Sequence, residues 1–301
     1  MIDPIQILWT PAGVNMPALG ARSLVDVTDG DTPNIRLPIR MLSVDTPEVT
    51  ARSELRAAAI DEEFQQLAEW IEQGKAPISA AYAEHLLPKL ATGTAGTLQY
   101  RQGKEASAFA KQNTEARLRR PNGTMRTLFV RAAERPFDEN GRLLAYTAPN
   151  YSAKELAELP RAQRSTFNLD MVTAGWAVPF IIYPSIPGEL DLPLLVSAAV
   201  SARAADLGTW ADPASLPAYE YRAAEKLFGI TRKLVEGTDL GRTDRFGWRS
   251  RYCVDMRTRV LVGPEGFAGI PLEYRLWLWQ VDVAEAVSRL NLTPAPALVG
   301  A

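Results

Sequence analysis

The chain has 301 residues, of which 47% are hydrophobic and 23% are charged, and its formal net charge is −2 at pH 7. These values predict a globular protein of one large or two modest domains and exclude a strong overall attraction to nucleic acid, so any phosphate binding has to be local. One cysteine, Cys253, and one histidine, His85, exclude an intramolecular disulfide and a metal cage built from histidines of one chain, which leaves a carboxylate as the expected general base.

The first 21 residues predict an irregular lead-in with one short strand at residues 5–9. Residues 1–13 lack the basic and apolar regions of a secretory signal, and no apolar run is long enough to span a membrane. We therefore expect a cytoplasmic protein that does not cross a membrane, with export through a removed leader left open.

A pair of short strands with acidic residues at both ends is predicted next. Apolar runs at residues 23–27 and 39–44 flank a polar turn at 28–34, and Asp-Gly is typical of hairpin turns. Asp29 and Asp31 lie in the turn, while Asp45 and Glu48 follow the second run. If further strands bring the two ends together, the carboxylates next to Arg40 suit a hard cation beside a bound phosphate.

Each of these motifs also has a purely structural interpretation. Asp-Gly-Asp-Thr is often a solvated turn, and Asp-Thr-Pro-Glu is a good helix start. Pro33 and Pro38 remove ladder donors and predict short or bulged pairing. Regular alternation would place Arg40 and Asp45 on opposite faces, so the strand has to end, bend or bulge before Asp45 if both residues face one site.

Residues 49–103 form a predicted helical insertion. Apolar residues at helical spacing predict an amphipathic helix over 53–73, a shorter helix over 78–87 and a Gly/Thr loop over 91–103. Acidic residues outnumber basic ones here, so we expect a packing accessory rather than a surface for nucleic acid. A gate or a docking site for a protein partner is the alternative.

The rest of the chain alternates between predicted helices and strands. Helices are expected at 104–115, 166–175 and 193–206, a hairpin around 117–130, and strands up to Tyr146 and at 177–183. A linker at 211–217 precedes a predicted α+β region, 213–301. Between Arg242 and Arg259, arginines including Arg249 and Arg251 alternate with aromatic residues, which is equally typical of a nucleic-acid surface and of a solvated strand pair.

Four motifs in this order resemble those of the staphylococcal nuclease family and extend the resemblance over about residues 20–212. They are Asp29-Gly30-Asp31-Thr32, then Arg40 with Asp45-Thr46-Pro47-Glu48, then Glu105-Ala106-Ser107-Ala108-Phe109, and then Asn140-Gly141-Arg142-Leu143-Leu144-Ala145-Tyr146. The resemblance implies a five-stranded OB-type barrel that hydrolyses DNA and RNA using calcium.

The resemblance also implies a role for individual residues. Asp31, Asp45 and the Thr46 carbonyl would bind Ca2+, with Asp29 in support, and Glu48 would deprotonate the attacking water. Arg40 and Arg142 would bind the phosphate and stabilise the transition state. Tyr183, Arg249 and Arg251 are candidate contacts to the nucleic acid.

The sequence therefore predicts a mainly β protein: an OB domain over 1–212 with a helical insertion, followed by a small α+β domain over 213–301. The predicted activity is calcium-dependent hydrolysis of phosphodiester bonds in DNA or RNA. Two alternatives stay open, namely a non-catalytic OB module that binds nucleic acid or a protein, and a nuclease activated only by a partner that docks on the insertion or on 213–301.

Overall fold

The structure is a computed structural model that describes residues 19–299. The strand predicted at residues 5–9 lies outside them. The α-helices are α1 (Glu54–Glu72), α2 (Ala80–Leu90), α3 (Ala95–Leu118), α4 (Ala153–Glu158), α5 (Phe167–Thr173), α6 (Asp191–Ala204), α7 (Ala218–Val235), α8 (Arg242–Arg245), α9 (Val283–Leu290) and α10 (Pro296–Val299). The strands are β1 (Leu24–Val27), β2 (Pro33–Ile35), β3 (Ile39–Met41), β4 (Val44–Asp45), β5 (Leu128–Phe137), β6 (Leu143–Pro149), β7 (Val178–Pro179), β8 (Ile181–Ile182), β9 (Arg251–Asp255), β10 (Val260–Val262), β11 (Arg275–Trp279) and β12 (Thr293–Pro294).

These strands form four sheets, ordered β1-β2, β3-β6-β5, β4-β7 and β12-β10-β9-β11-β8. Within residues 19–299 they do not close into the predicted five-stranded barrel. The protein is a mixed α+β structure rather than a mainly β one. None of the helices in this range is long and apolar enough to cross a membrane.

The described residues divide into two compact units, the first made of 19–40 and 132–145 and the second of 41–131 and 146–299. The units meet after residues 40, 131 and 145, and none of these positions is the domain boundary predicted at residue 212.

In the first unit, the acidic turn closes on a different strand from the one predicted. β1 pairs antiparallel with β2, with Val27 opposite Pro33 and a bulge between Leu24 and Asp26. The predicted pairing of residues 23–27 with 39–44 is therefore wrong, whereas the shortened, bulged pairing is confirmed. Proline is tolerated as the first residue of a strand, so the chain can re-enter the ladder at Pro33.

The strand that carries Arg40 ends before Asp45, as the alternation argument requires. β3 stops at Met41, Ser43 has a φ of 61°, and β4 begins at Val44 and pairs antiparallel with β7. No helix starts in the segment that follows: residues 46–49 are irregular, and α1 begins at Glu54 with the Ser53 side chain accepting a hydrogen bond from the Arg56 N–H.

The helical insertion belongs to the second unit. The predicted apolar face of α1 is buried, with Ile60, Phe64 and Leu67 at most 2% exposed. However, α3 starts at Ala95, so the loop predicted over 91–103 is wrong for most of its length. Glycine weakens a helix interior, but an added Cβ at Gly96 would lie 2.5 Å from the Ala57 carbonyl oxygen. Glycine is used here because α1 and α3 approach closely.

The C-terminal region shares a core with the insertion. One cluster of buried apolar side chains includes Phe64 of α1, Leu86 of α2, Leu227 of α7 and Trp277 of β11. Strand β8 pairs parallel with β11, and β9 pairs antiparallel with β10 and β11. Residues 213–299 contain both helices and strands, and these elements are built into the second unit.

Candidate active site

Two predicted site residues, Asp45 and Glu48, come together in the second unit. Asp45 ends β4, opposite Val178 of β7, and is only 2% exposed. Glu48 follows in an irregular segment with its side chain 22% exposed. Helix α3 packs directly against this segment, because a Cβ added to Gly103 of α3 would lie 2.7 Å from the Glu48 carbonyl oxygen.

The Gln99 side chain of α3 also holds the Glu48 backbone. With its amide in the orientation that satisfies both neighbours, Gln99 accepts a hydrogen bond from the Glu48 N–H and donates one to the Leu216 carbonyl, each at 3.0 Å. Gln99 is 2% exposed. The insertion thereby fixes the backbone of the candidate base and ties it to the segment just before α7.

Arg222 of α7 joins the two carboxylates. One guanidinium nitrogen donates to Asp45 Oδ2 at 2.9 Å, and the other forms a short ion pair with Glu48 Oε1. Burial works against the charge of Arg222, but the carboxylates of Asp45 and Glu48 outweigh it and raise the pKa of Arg222. We call Asp45, Glu48 and Arg222 the charged triad.

Sequence reasoning missed Arg222 because it lies 174 residues from Glu48 in a region outside the family resemblance. The available signal was weak. Tyr221, Ala224 and Leu227 mark the buried face of α7, and an arginine beside that face is ordinary in an amphipathic helix.

A third carboxyl group, Glu225, lies one turn further along α7. Burial raises the pKa of Glu225, and the neighbouring charge of Glu48 raises it further. Arg56 and Arg222 act in the opposite direction. The triad therefore has a neighbouring acid, Glu225, whose ionisation is opposed by burial and by the charge of Glu48.

Asp45 lines a surface cavity of about 200 Å³ together with Pro47, Lys89 and Trp210. A second cavity, of about 350 Å³, shares Lys89 and Trp210 and adds His85, Arg203 and Arg275. The two therefore adjoin, and basic side chains are prominent in the lining of the second.

Three residues that line the second cavity, His85, Lys89 and Arg275, belong to an ion network around Glu220. Glu220, fully buried, accepts from Arg275 at 2.7 Å, contacts His85 Nε2 at 2.8 Å, and has Lys89 Nζ 3.8 Å away. Burial opposes the ionisation of Glu220, but His85, Arg275 and Lys89 hold its pKa below the ordinary value. The single histidine is thus engaged by a structural carboxylate.

The other predicted catalytic and metal-binding residues behave differently. Asp29 and Asp31 lie exposed in the β1–β2 turn, where a hydrogen bond from Thr32 lowers the pKa of Asp29. Arg142 donates from Nε to Asp138 Oδ2 at 2.7 Å. Arg40 is half-buried in β3, and Thr46 is half-buried after β4. Asp29, Asp31, Arg40 and Arg142 belong to the first unit, and Thr46 belongs to the second with the triad.

The three candidate contacts to nucleic acid are occupied within the protein. Tyr183 is 5% exposed and packs in an apolar core, so its ring has no free face for a base. Arg249 forms an ion pair with Glu265 and stacks 4.0 Å from the Phe246 ring centroid. Arg251 lies over the Trp279 ring at 4.2 Å.

The arrangement around Asp45 does not fit a calcium site. Across residues 19–299, no group of three or more His, Cys, Asp or Glu side chains could hold a metal ion. Ca2+ takes about six to eight oxygen ligands. The second unit contributes Asp45 and the Thr46 carbonyl from the predicted set, and Asp45 Oδ2 already accepts from Arg222.

The family model described as staphylococcal nuclease homologue matches residues 38–212, more than half of the chain. The chain belongs to the staphylococcal nuclease family. This confirms the family predicted from the four motifs. The match contains Arg40, Asp45, Glu48 and Arg142, but it starts after Asp31 and ends before Arg222. No curated protein matches the chain.

Proposed function

We propose that this member of the staphylococcal nuclease family hydrolyses phosphodiester bonds of DNA or RNA at the cavity that Asp45 lines. The observation that carries the proposal is the pair of carboxylates, Asp45 and Glu48, held on one guanidinium beside a cavity that also offers Lys89 and Trp210. Basic and aromatic side chains next to carboxylates suit a phosphate chain whose bases can stack.

Within this site, Glu48 is the candidate general base. A carboxylate is needed because the one histidine of the chain, His85, is engaged by Glu220. The Glu48 side chain is partly open to solvent and can reach a water molecule, whereas Asp45 is almost fully buried. Asp45 then acts through its charge, and Arg222 orients both carboxylates.

Arginines supply the complementary charge. Arg222 contacts the carboxylate of Asp45 that lines the cavity, and the family resemblance assigns Arg40 and Arg142 to the phosphate, where a planar fork can pair with two oxygens. Calcium bound by Asp31, Asp45 and Thr46, with Asp29 in support, also rests on the resemblance alone. No step is assigned to the ion, because the donor set around Asp45 does not fit it.

The test is a hydrolysis assay with purified full-length protein on single-stranded DNA, double-stranded DNA and RNA, in calcium, magnesium or EDTA. Glu48→Gln keeps the shape of the side chain but cannot accept the proton, so turnover should fall by about 10²–10⁴-fold. Glu62→Gln changes an exposed carboxylate on α1 and should leave turnover unaltered. A wild-type rate for Glu48→Gln would exclude Glu48 as the base.

One observation favours a second candidate, a module that binds nucleic acid or a protein without cleaving it. Arg222 forms ion pairs with both carboxylates of the site, which a catalytic centre would need for other tasks. Binding of DNA or RNA without hydrolysis under every ion condition would support this candidate. Hydrolysis that starts only on addition of a protein partner would identify a partner-activated nuclease.

A further inference from the structure

We propose that Arg222 holds the place of a divalent cation at Asp45 and Glu48, so that a cation can bind there only by displacing the guanidinium. The inference rests on the assignment of these two carboxylates to the site. It gives residues 213–301 a direct role in that site, because Arg222 comes from α7.

The contacts of Arg222 are those expected of a substitute for an ion. A carboxylate as buried as Asp45, at 2% exposure, needs a compensating positive charge. Arg222 supplies it and reaches Glu48 with its other nitrogen, so one cationic group bridges both acids. A guanidinium keeps its proton at any pH at which carboxylates are ionised. A second cation at Asp45 would therefore meet a fixed positive charge at contact distance, which opposes binding.

The helix that carries Arg222 is fixed, but the side chain can move. Tyr221 and Leu227 anchor α7 in the core, at 1% and 0% exposure, and Tyr221 packs edge-on against Phe64 with ring centroids 5.3 Å apart. The Arg222 side chain is 35% exposed. Displacement thus requires rotation of a long, partly exposed side chain and the loss of its ion pairs with Asp45 and Glu48.

A second carboxylate is available to receive Arg222 after displacement. Glu225 lies three residues further on α7, the spacing at which helix side chains face each other. Glu225 can therefore accept the guanidinium when a cation occupies Asp45 and Glu48.

The experiment measures calcium binding to the full-length protein by isothermal titration calorimetry, without any nucleic acid. Arg222→Gln should bind calcium at least tenfold more tightly than the wild type. Lys226→Gln is the matched control, because it removes one positive charge from the exposed face of the same helix, and it should stay within twofold of the wild type. Equal or weaker calcium binding by Arg222→Gln overturns the inference.

Two further variants keep the outcome decisive. Asp45→Asn combined with Arg222→Gln should lose the gain in affinity, and retention of the gain would place the calcium elsewhere and overturn the inference. If Arg222→Gln is unfolded by circular dichroism, Arg222→Lys replaces it, since lysine cannot bridge two carboxylates with a planar fork. Threefold tighter binding by Arg222→Lys supports the inference, and unchanged affinity overturns it.

The binding measurement separates this inference from the proposed nuclease activity. Competition between Arg222 and calcium in a protein that hydrolyses no nucleic acid would support the inference and refute the activity. Hydrolysis of nucleic acid by the wild type, together with unchanged calcium affinity in Arg222→Gln, would support the activity and refute the inference.

Discussion

Gly103 of α3 offers a sharp test of how the candidate base is positioned. A Cβ at this residue would lie 2.7 Å from the Glu48 carbonyl oxygen, 2.9 Å from the Glu48 carbonyl carbon and 2.8 Å from Val49 Cγ1. Two of the three atoms are backbone, so no side-chain rotation can relieve both contacts. Gly103→Ala has to push the Glu48 segment away from α3 or strain the helix.

The expected loss of stability follows from two opposing effects. Overpacking a tight site costs about 1–3 kcal/mol. The cost should lie in the upper half of this range, because Gln99 also holds the Glu48 N–H. Replacing glycine by alanine in a helix interior returns about 1 kcal/mol. We therefore expect Gly103→Ala to lower the free energy of unfolding by about 1–2 kcal/mol.

Gly229→Ala is the matched control. Gly229 lies within α7, and an added Cβ there meets nothing within 4 Å. This variant should gain about 1 kcal/mol from helix propensity alone. The two variants should thus differ by about 2–3 kcal/mol in urea unfolding followed by circular dichroism, analysed by linear extrapolation. A Gly103→Ala protein as stable as the wild type would refute the close approach of α3 to Glu48.

Three other variants test the second unit. Glu220→Gln leaves the buried Arg275 without its counter-charge and should cost about 3–5 kcal/mol of unfolding free energy; an unchanged urea midpoint would contradict this. Glu225→Gln should melt above the wild type near neutral pH but not below pH 4.5, the ordinary pKa of a glutamate, because the pKa of Glu225 is raised in the folded state and its ionisation costs stability as pH rises. A stability gain that persists in acid would argue against this origin. Removing 213–301 deletes Leu227 and Trp277 from the shared core, so residues 1–212 should unfold without a cooperative transition; a sharp calorimetric transition for 1–212 would show a self-sufficient domain.

Local signals in the sequence predicted the secondary structure that depends on contacts between residues close together along the chain. The apolar spacing of Ile60, Phe64 and Leu67 predicts α1, and Ser53 caps it, because helix periodicity and capping act within a few residues. The four motifs were sufficient to identify the family. If Arg40 and Asp45 face one site, the two-residue repeat of a strand also requires a break between them.

Long-range packing decided what these signals left open. The sequence places Gly96 and Gly103 in a loop, since glycine disfavours helices, but close contacts with Ala57 and Glu48 make glycine the residue that fits in α3. The acidic turn is a different case, because β1 pairs with Pro33–Ile35, which lies closer along the chain than the predicted partner at residues 39–44.

The charged triad also shows how little local sequence signals reveal about contacts between distant segments. Family motifs identify Asp45 and Glu48 as candidates, but nothing in the local sequence around Arg222 distinguishes it from other surface arginines. Its partners are defined by the packing of α7 against α1 and by the pairing of β4 with β7, contacts between segments more than 100 residues apart. The sequence identifies candidate residues for the chemistry of the family, and only the tertiary structure decides which charge meets them, because burial and Coulomb interactions depend on distance in space.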